Sequence, residues 1–288
     1  MARTKQSVVV GVDGSESSSQ AALWATAEAT RLAVPVHLVV VNDDPAREGF
    51  AKQAVRDIAE RCHRARPELT ITDEVAVGHP AEELVHRSES AQLVVVGSRG
   101  HGVFRDVLLG AISTSVAAHA RCPVVVVRGA AAASGPVVVG VDNSPGSHVA
   151  VHYAFDAANR RHTGLIAVQA LPDAFFTVGT YPLPDRQEIQ NRADLHLAEQ
   201  LSGWCADYPD VTVRREVANQ HPVATLCEAA RQAQLLVVGH RGRGGFAGLL
   251  LGSVANGVLH HAPCPVAVIR TSAGSSRYAS GGWRQTAR

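Results

Sequence analysis

The feature that most constrains this chain is a strand–turn–helix phrase that occurs twice. Leu235 to Ala255 reads LLVVGHRGRGGFAGLLLGSVA, and Leu93 to Ser113 reads LVVVGSRGHGVFRDVLLGAIS. Gly97, Gly100 and Gly110 recur as Gly239, Gly242 and Gly252 at a constant offset of 142. Each copy opens with an apolar run too short for a buried helix and suited to a strand covered on both faces. A turn rich in Gly and Arg follows, and a helical pattern starts about ten residues later. Glycines let the backbone take a positive φ and approach a ligand closely. Successive N–H groups in such a turn form a nest for an anion, and a helix N-terminus adds unpaired donors and partial positive charge. A phosphate is the expected guest. The competing reading is that the glycines only permit a tight strand-to-helix turn.

The duplication covers most of the chain. Ser7 to Asp13 (SVVVGVD) and Pro136 to Asp142 (PVVVGVD) are near copies at an offset of 129. From His79-Pro80 and His221-Pro222 onward the offset is 142, which places an insertion of 13 residues between those points. The proline-rich stretch Leu171 to Pro184 is its expected site, either a cover for a ligand or a tolerated excursion. Residues 1–128 and 136–270 therefore read as two domains, GAAAASG as a linker, and 271–288 as a flexible tail.

Composition excludes several classes. A net charge of +1 offers no basic excess for nucleic acid. No apolar run approaches the roughly 20 residues of a membrane span and no signal-peptide core is seen, so a cytoplasmic location is expected. Five cysteines without a CxxC pair fit reduced, mostly buried thiols and no metal site. The only lysines, Lys5 and Lys52, follow no glycine-rich loop, which excludes a Walker-type P-loop. Of the 14 histidines, His79 and His221 precede helices and His119, His260 and His261 fall at helix C-termini; His101 and His240 sit in the glycine loops. Arg99, Arg105, Arg241 and Arg243 are better candidates for pairing with phosphate.

Each half alternates β-α-β-α-β-α-β-α-β, the pattern of a doubly wound α/β fold with a parallel sheet between helices. Ligands of such sheets bind beyond the strand carboxyl ends, where strand order reverses. Asp13 or Asp142 ends the first strand and Gly97 or Gly239 the fourth. Were these strands neighbours, a carboxylate for ribose or base and a nest for phosphates would share one crevice.

The pattern G-x2-G-x9-G-[ST], with a GVDGS-like start and a final CPV strand, resembles the universal stress proteins of the ATP-binding subgroup in their tandem, two-domain form. The match covers residues 7–128 and 136–270. The resemblance implies two adenine nucleotide alpha hydrolase-like domains, each with five parallel strands in the order 3-2-1-4-5. It implies their pairing through the last strands about a pseudo-twofold, and leaves room for a homodimer. It also implies bound ATP, with Mg²⁺ as a companion, and a role in stress response or growth control without a defined reaction. By position, Asp13 and Asp142, with Gly11 and Gly140 before them, would meet the nucleoside, and Val41 and Ala170 would offer backbone groups to adenine. The first phosphate site would comprise Gly97, Ser98, Arg99, Gly100, Gly102, Gly110, Ala111 and Ser113. The second would comprise Gly239, His240, Arg241, Gly242, Arg243, Gly244, Gly252, Ser253 and Val254. Two departures matter: Ala111 stands where the motif has a hydroxyl, with Ser113 two residues on, and Ala255 stands where the second half would repeat Ser113. Two sites of unequal affinity are expected, the second tighter. The alternatives are a slow ATPase or nucleotidyl-transfer enzyme, for which no GxSxG, HExxH, HxGH or SGGxDS signature appears, and a nucleotide-free pairing module.

Overall fold

The computed structural model describes residues 7–100, 109–128, 134–171, 186–242 and 250–271. The first half runs β1 (Val8–Gly11), α1 (Glu16–Leu32), β2 (Val36–Asn42), a 3-10 turn (Pro45–Arg47), α2 (Glu48–Ala65) and β3 (Ile71–Val77). It continues with α3 (Pro80–Arg87), β4 (Leu93–Gly97), α4 (Ala111–His119) and β5 (Val124–Val127). The second half repeats this as β6 (Val137–Gly140), α5 (Pro145–Arg160), β7 (Leu165–Ala170), α6 (Arg186–Asp207) and β8 (Val213–Ala218). It closes with α7 (Pro222–Ala229), β9 (Leu235–Gly239), α8 (Ser253–His261) and β10 (Val266–Ile269).

All these strands lie in one sheet, ordered β3-β2-β1-β4-β5-β10-β9-β6-β7-β8. Each half is parallel and follows the expected 3-2-1-4-5 order. The halves meet where β5 and β10 pair antiparallel, Val124 opposite Val268 and Val126 opposite Val266. The two five-stranded sheets are thus fused edge to edge. Successive strand residues point to opposite faces, so a run of valines feeds two cores at once. Val8 and Val10 pack into the layer of α1 and α2, whereas Val9, Val94 and Val96 pack into the layer of α3 and α4. Burial on both faces is why these strands carry no polar alternation.

The turn after β1 is short, because Ser15 is the first hydroxyl able to cap a helix: its Oγ accepts the Ser18 N–H at 3.2 Å and α1 starts at Glu16. Ala21, Ala22, Ala25 and Ala29 are fully buried against the sheet while Trp24 is only half-buried, since the small residues set the close approach. Among the cysteines, all free, Cys62 and Cys264 are buried and Cys122 and Cys227 half-buried, but Cys205 is exposed on α6. Most of the inserted stretch, 172–185, and the tail from 272 lie outside the described residues.

Two features of the helical layer bear on stability. Glu28 of α1 is fully buried and reaches the other half, where its Oε2 accepts from Arg161 Nη2 at 2.6 Å. Arg31 Nη1 lies 3.4 Å from Oε2 and Arg160 Nη2 3.9 Å from Oε1. In α6, nothing lies within 4 Å of where a β-carbon on Gly203 would sit. Helical glycine carries excess unfolded-state entropy, so Gly203→Ala is expected to add about 0.5–1 kcal/mol. A raised urea midpoint checks this, and an unchanged or lower one contradicts it.

Candidate functional site

The site is set by strand adjacency. β1 pairs with β4 in parallel, Gly11 opposite Val96, so the chains leaving both strands emerge side by side. Beyond β1 the backbone turns in a left-handed residue, Gly14 at φ 87° in the first half and Asn143 at φ 65° in the second. The preceding aspartate closes that turn. Asp13 Oδ1 accepts the Ser15 N–H at 3.0 Å, and Asp142 Oδ1 accepts the Ser144 N–H at 3.1 Å and its hydroxyl at 2.6 Å. The other carboxylate oxygen lies against the loop after β4 or β9. A β-carbon on Gly100 would sit 2.7 Å from Asp13 Oδ2, and one on Gly242 would overlap Asp142 Oδ2.

The positive φ expected of the motif glycines is not what they supply. None of Gly97, Gly100, Gly110, Gly239, Gly242 and Gly252 has a left-handed backbone. At Gly97, Gly100, Gly239 and Gly242 the structure instead needs the side chain to be missing. A β-carbon on Gly97 would sit 2.7 Å from Ser17 Oγ and 3.0 Å from the Ser17 carbonyl carbon. One on Gly239 would sit 2.9 Å from the Gly146 carbonyl carbon. These two let the first turns of α1 and α5 rest on the strand ends, while Gly100 and Gly242 admit the aspartates.

In the first half these parts enclose a crevice of about 350 Å³, within the range of small-molecule sites. Gly11, Asp13, Val41, Gly97, Arg99, Gly100, Gly110, Ala111 and Ser113 all line it. Sequence reading missed Pro80 and Leu84 of α3, Val96, Ser18 and the exposed Ile112, which also line it. The signal was present in the His79-Pro80 helix start, which aims α3 at the strand ends. Helix α4 begins at the crevice with Gly110 as its N-cap and no side chain capping it, so its first N–H groups are available to an anion.

The remaining candidates fall as follows. Ser98 is buried, its N–H donating to the Val127 carbonyl and its own carbonyl accepting from the Gly110 N–H. Ser113, expected as a substitute phosphate donor, commits its hydroxyl hydrogen to the Gly97 carbonyl at 2.7 Å. In the second half, Gly252 N-caps α8, Ser253 is exposed at the first helical position and Val254 is half-buried behind it. Gly140 and Ala170 end β6 and β7, and Arg241 is exposed. His240 is buried with no hydrogen-bond partner for Nδ1 among the described residues, and burial together with Arg270 and Arg241 pushes its pKa down to about 4. It is therefore neutral at neutral pH. Gly102, Arg243 and Gly244, with His101 and Arg105, lie outside the described residues. Among the described residues no three His, Cys, Asp or Glu side chains cluster as a metal site, and no helix is long and apolar enough to cross a membrane.

Comparison with known proteins agrees with this architecture. The model of the universal stress protein family matches residues 5–128 and again 134–270. A universal stress protein of Mycobacterium tuberculosis is 40% identical over 293 residues, covering 94% of this chain and 99% of its own. One of Mycolicibacterium smegmatis is 40% identical over 289 residues, covering 93% and 98%. The crystal structure of a universal stress protein from Archaeoglobus fulgidus superposes with a TM-score of 0.70 at 21% identity, over 92% of this chain and 98% of that one, a likeness of fold. With both halves matched separately and relatives aligned over nearly their whole length, the chain belongs to the universal stress protein family and carries its domain twice in tandem.

Proposed function

We propose that the chain binds an adenine nucleotide, ATP, in each half and works as a nucleotide-dependent stress-response or growth-regulating protein without a catalytic reaction of its own. The observation that carries this reading is the aspartate against the loop glycine, Asp13 with Gly100 and Asp142 with Gly242, at the mouth of strands whose loops lead into an uncapped helix. A carboxylate suits ribose hydroxyls, and helix N–H groups with Arg99 or Arg241 suit phosphates. The apolar wall of Val41, Leu84 and Val96 suits a flat base. ATP thus fits the donors present. Mg²⁺, when bound, would neutralise phosphate charge; with Asp13 or Asp142 the carboxylate at hand among the described residues of each half, it would rely on phosphate oxygens and water for its other ligands.

The crevices are expected to differ. The first offers Ala111 at the helix start, and its Ser113 hydroxyl is already engaged with Gly97. The second offers the exposed Ser253 hydroxyl, which makes it the tighter. To test the proposal, the purified chain is denatured, any released nucleotide identified by chromatography, and ATP binding to the emptied protein measured by calorimetry. Two sites are expected. Asp13→Ala and Asp142→Ala should each remove a charged hydrogen bond worth about 1.5–3 kcal/mol, weakening one site about 10- to 150-fold. Absence of ATP binding, or affinities indifferent to both substitutions, would overturn it.

A further inference from the structure

The residue that follows the last strand of each half is an arginine, Arg128 after β5 and Arg270 after β10, related by the same offset of 142. Both cross the seam between the halves. Arg270 Nη2 donates to the carbonyl of Ala118, in the last turn of α4. Arg128 Nη1 donates to the carbonyl of Leu259, in the last turn of α8, at 3.3 Å. The last carbonyls of a helix lack intrahelical partners and carry partial negative charge, so a guanidinium there both satisfies them and completes the helix dipole.

These are the two helices whose N-termini begin at the glycine loops. α4 spans only nine residues between the first crevice and Arg270, and α8 only nine between Gly252 and Arg128. A helix that short moves as one rod, so what fixes its far end also aims its donors. Burial and then Arg99 disfavour the charge on Arg128, and burial, Arg121 and then Arg241 disfavour it on Arg270.

We propose that Arg128 and Arg270 are positioning residues acting in trans, each setting the helix that begins at the opposite half's glycine loop. The inference rests on the nucleotide reading for its ligand but not for its geometry, and two readouts separate the two. The full chain is used with one crevice disabled: Gly242→Asp to read the first, Gly100→Asp to read the second. In the Gly242→Asp chain, Arg270→Ala is expected to weaken ATP binding at the first crevice about three- to tenfold, Arg270→Lys to recover part of it, and Arg128→Ala to change it less than about twofold. The Gly100→Asp chain should show the mirror image. Without nucleotide, amide exchange should rise in α4 for Arg270→Ala and in α8 for Arg128→Ala, with the strands unaffected. Losses confined to the arginine's own half, or no change in either readout, would overturn the proposal. Chains that bind no ATP yet show the crosswise exchange would refute the nucleotide reading and support the positioning role.

Discussion

Glu28→Ala is expected to lower stability by about 3–5 kcal/mol, the usual cost of removing one partner from a buried charge cluster. Glu28 is fully buried on α1, and Arg161, whose side chain is 2% exposed, holds its Oε2 at 2.6 Å from across the seam. Arg31 and Arg160 crowd the same carboxylate. Deleting the acid leaves Arg31 and Arg161 without a carboxylate partner among the described residues, while Arg160 keeps Asp156. Replacing both members of the central pair, Glu28→Met with Arg161→Met, should recover most of the loss, because a well-packed apolar pair avoids desolvating the ions. Urea titration of the three chains checks the pattern. A Glu28→Ala chain within 1 kcal/mol of the parent, or a double variant as weak as the single one, would show that the cluster does not hold the halves together.

Gly239→Ala should cost about 1–3 kcal/mol, as overpacking does where the neighbour is backbone. The new methyl would lie 2.9 Å from the carbonyl carbon of Gly146 and 3.0 Å from its oxygen. Neither can rotate away, so the first turn of α5 has to lift off β9. That turn holds Ser147, whose hydroxyl accepts the Asp142 N–H at 3.2 Å, so the aspartate shifts with it. Loss of stability should therefore come with loss of nucleotide from the second crevice alone. Gly110→Ala is the control: its nearest neighbours would lie at 3.7 Å, ordinary contact, so only the poorer N-cap of α4, below about 1 kcal/mol, is expected to show. Melting temperatures, which move about 2–4 °C per kcal/mol for chains of this order of size, and retained nucleotide provide the readouts. Equal losses for both variants would contradict this account.

The strands, their parallel arrangement and the doubling were legible because apolar runs such as Val8–Gly11 and Leu93–Gly97 carry one meaning: they are buried on both faces. So was the company kept by Asp13 and Gly100, which follows from β1 lying beside β4. The role of the glycines was not. A glycine in a sequence signals either a left-handed backbone or a forbidden β-carbon, and only coordinates tell that Gly97 and Gly239 are of the second kind. Ser113 shows the same ambiguity, since a hydroxyl near a loop serves a ligand or a carbonyl equally well. Glu28 and the seam arginines gave no signal at all. Each is one charge among many on an amphipathic surface, and its partner lies more than 130 residues away.

The antiparallel ladder of β5 and β10 has a consequence for how the two halves age. When identical subunits pair, any change on one side is imposed on the other, and the pair dissolves on dilution. Here the mate is covalently tethered, so the partnership persists at any protein concentration and the two sides are free to drift apart. The chain has used that freedom: Glu28 corresponds to Ala157 in the second half, and Ala111 to Ser253. A symmetric dimer could hold neither contrast.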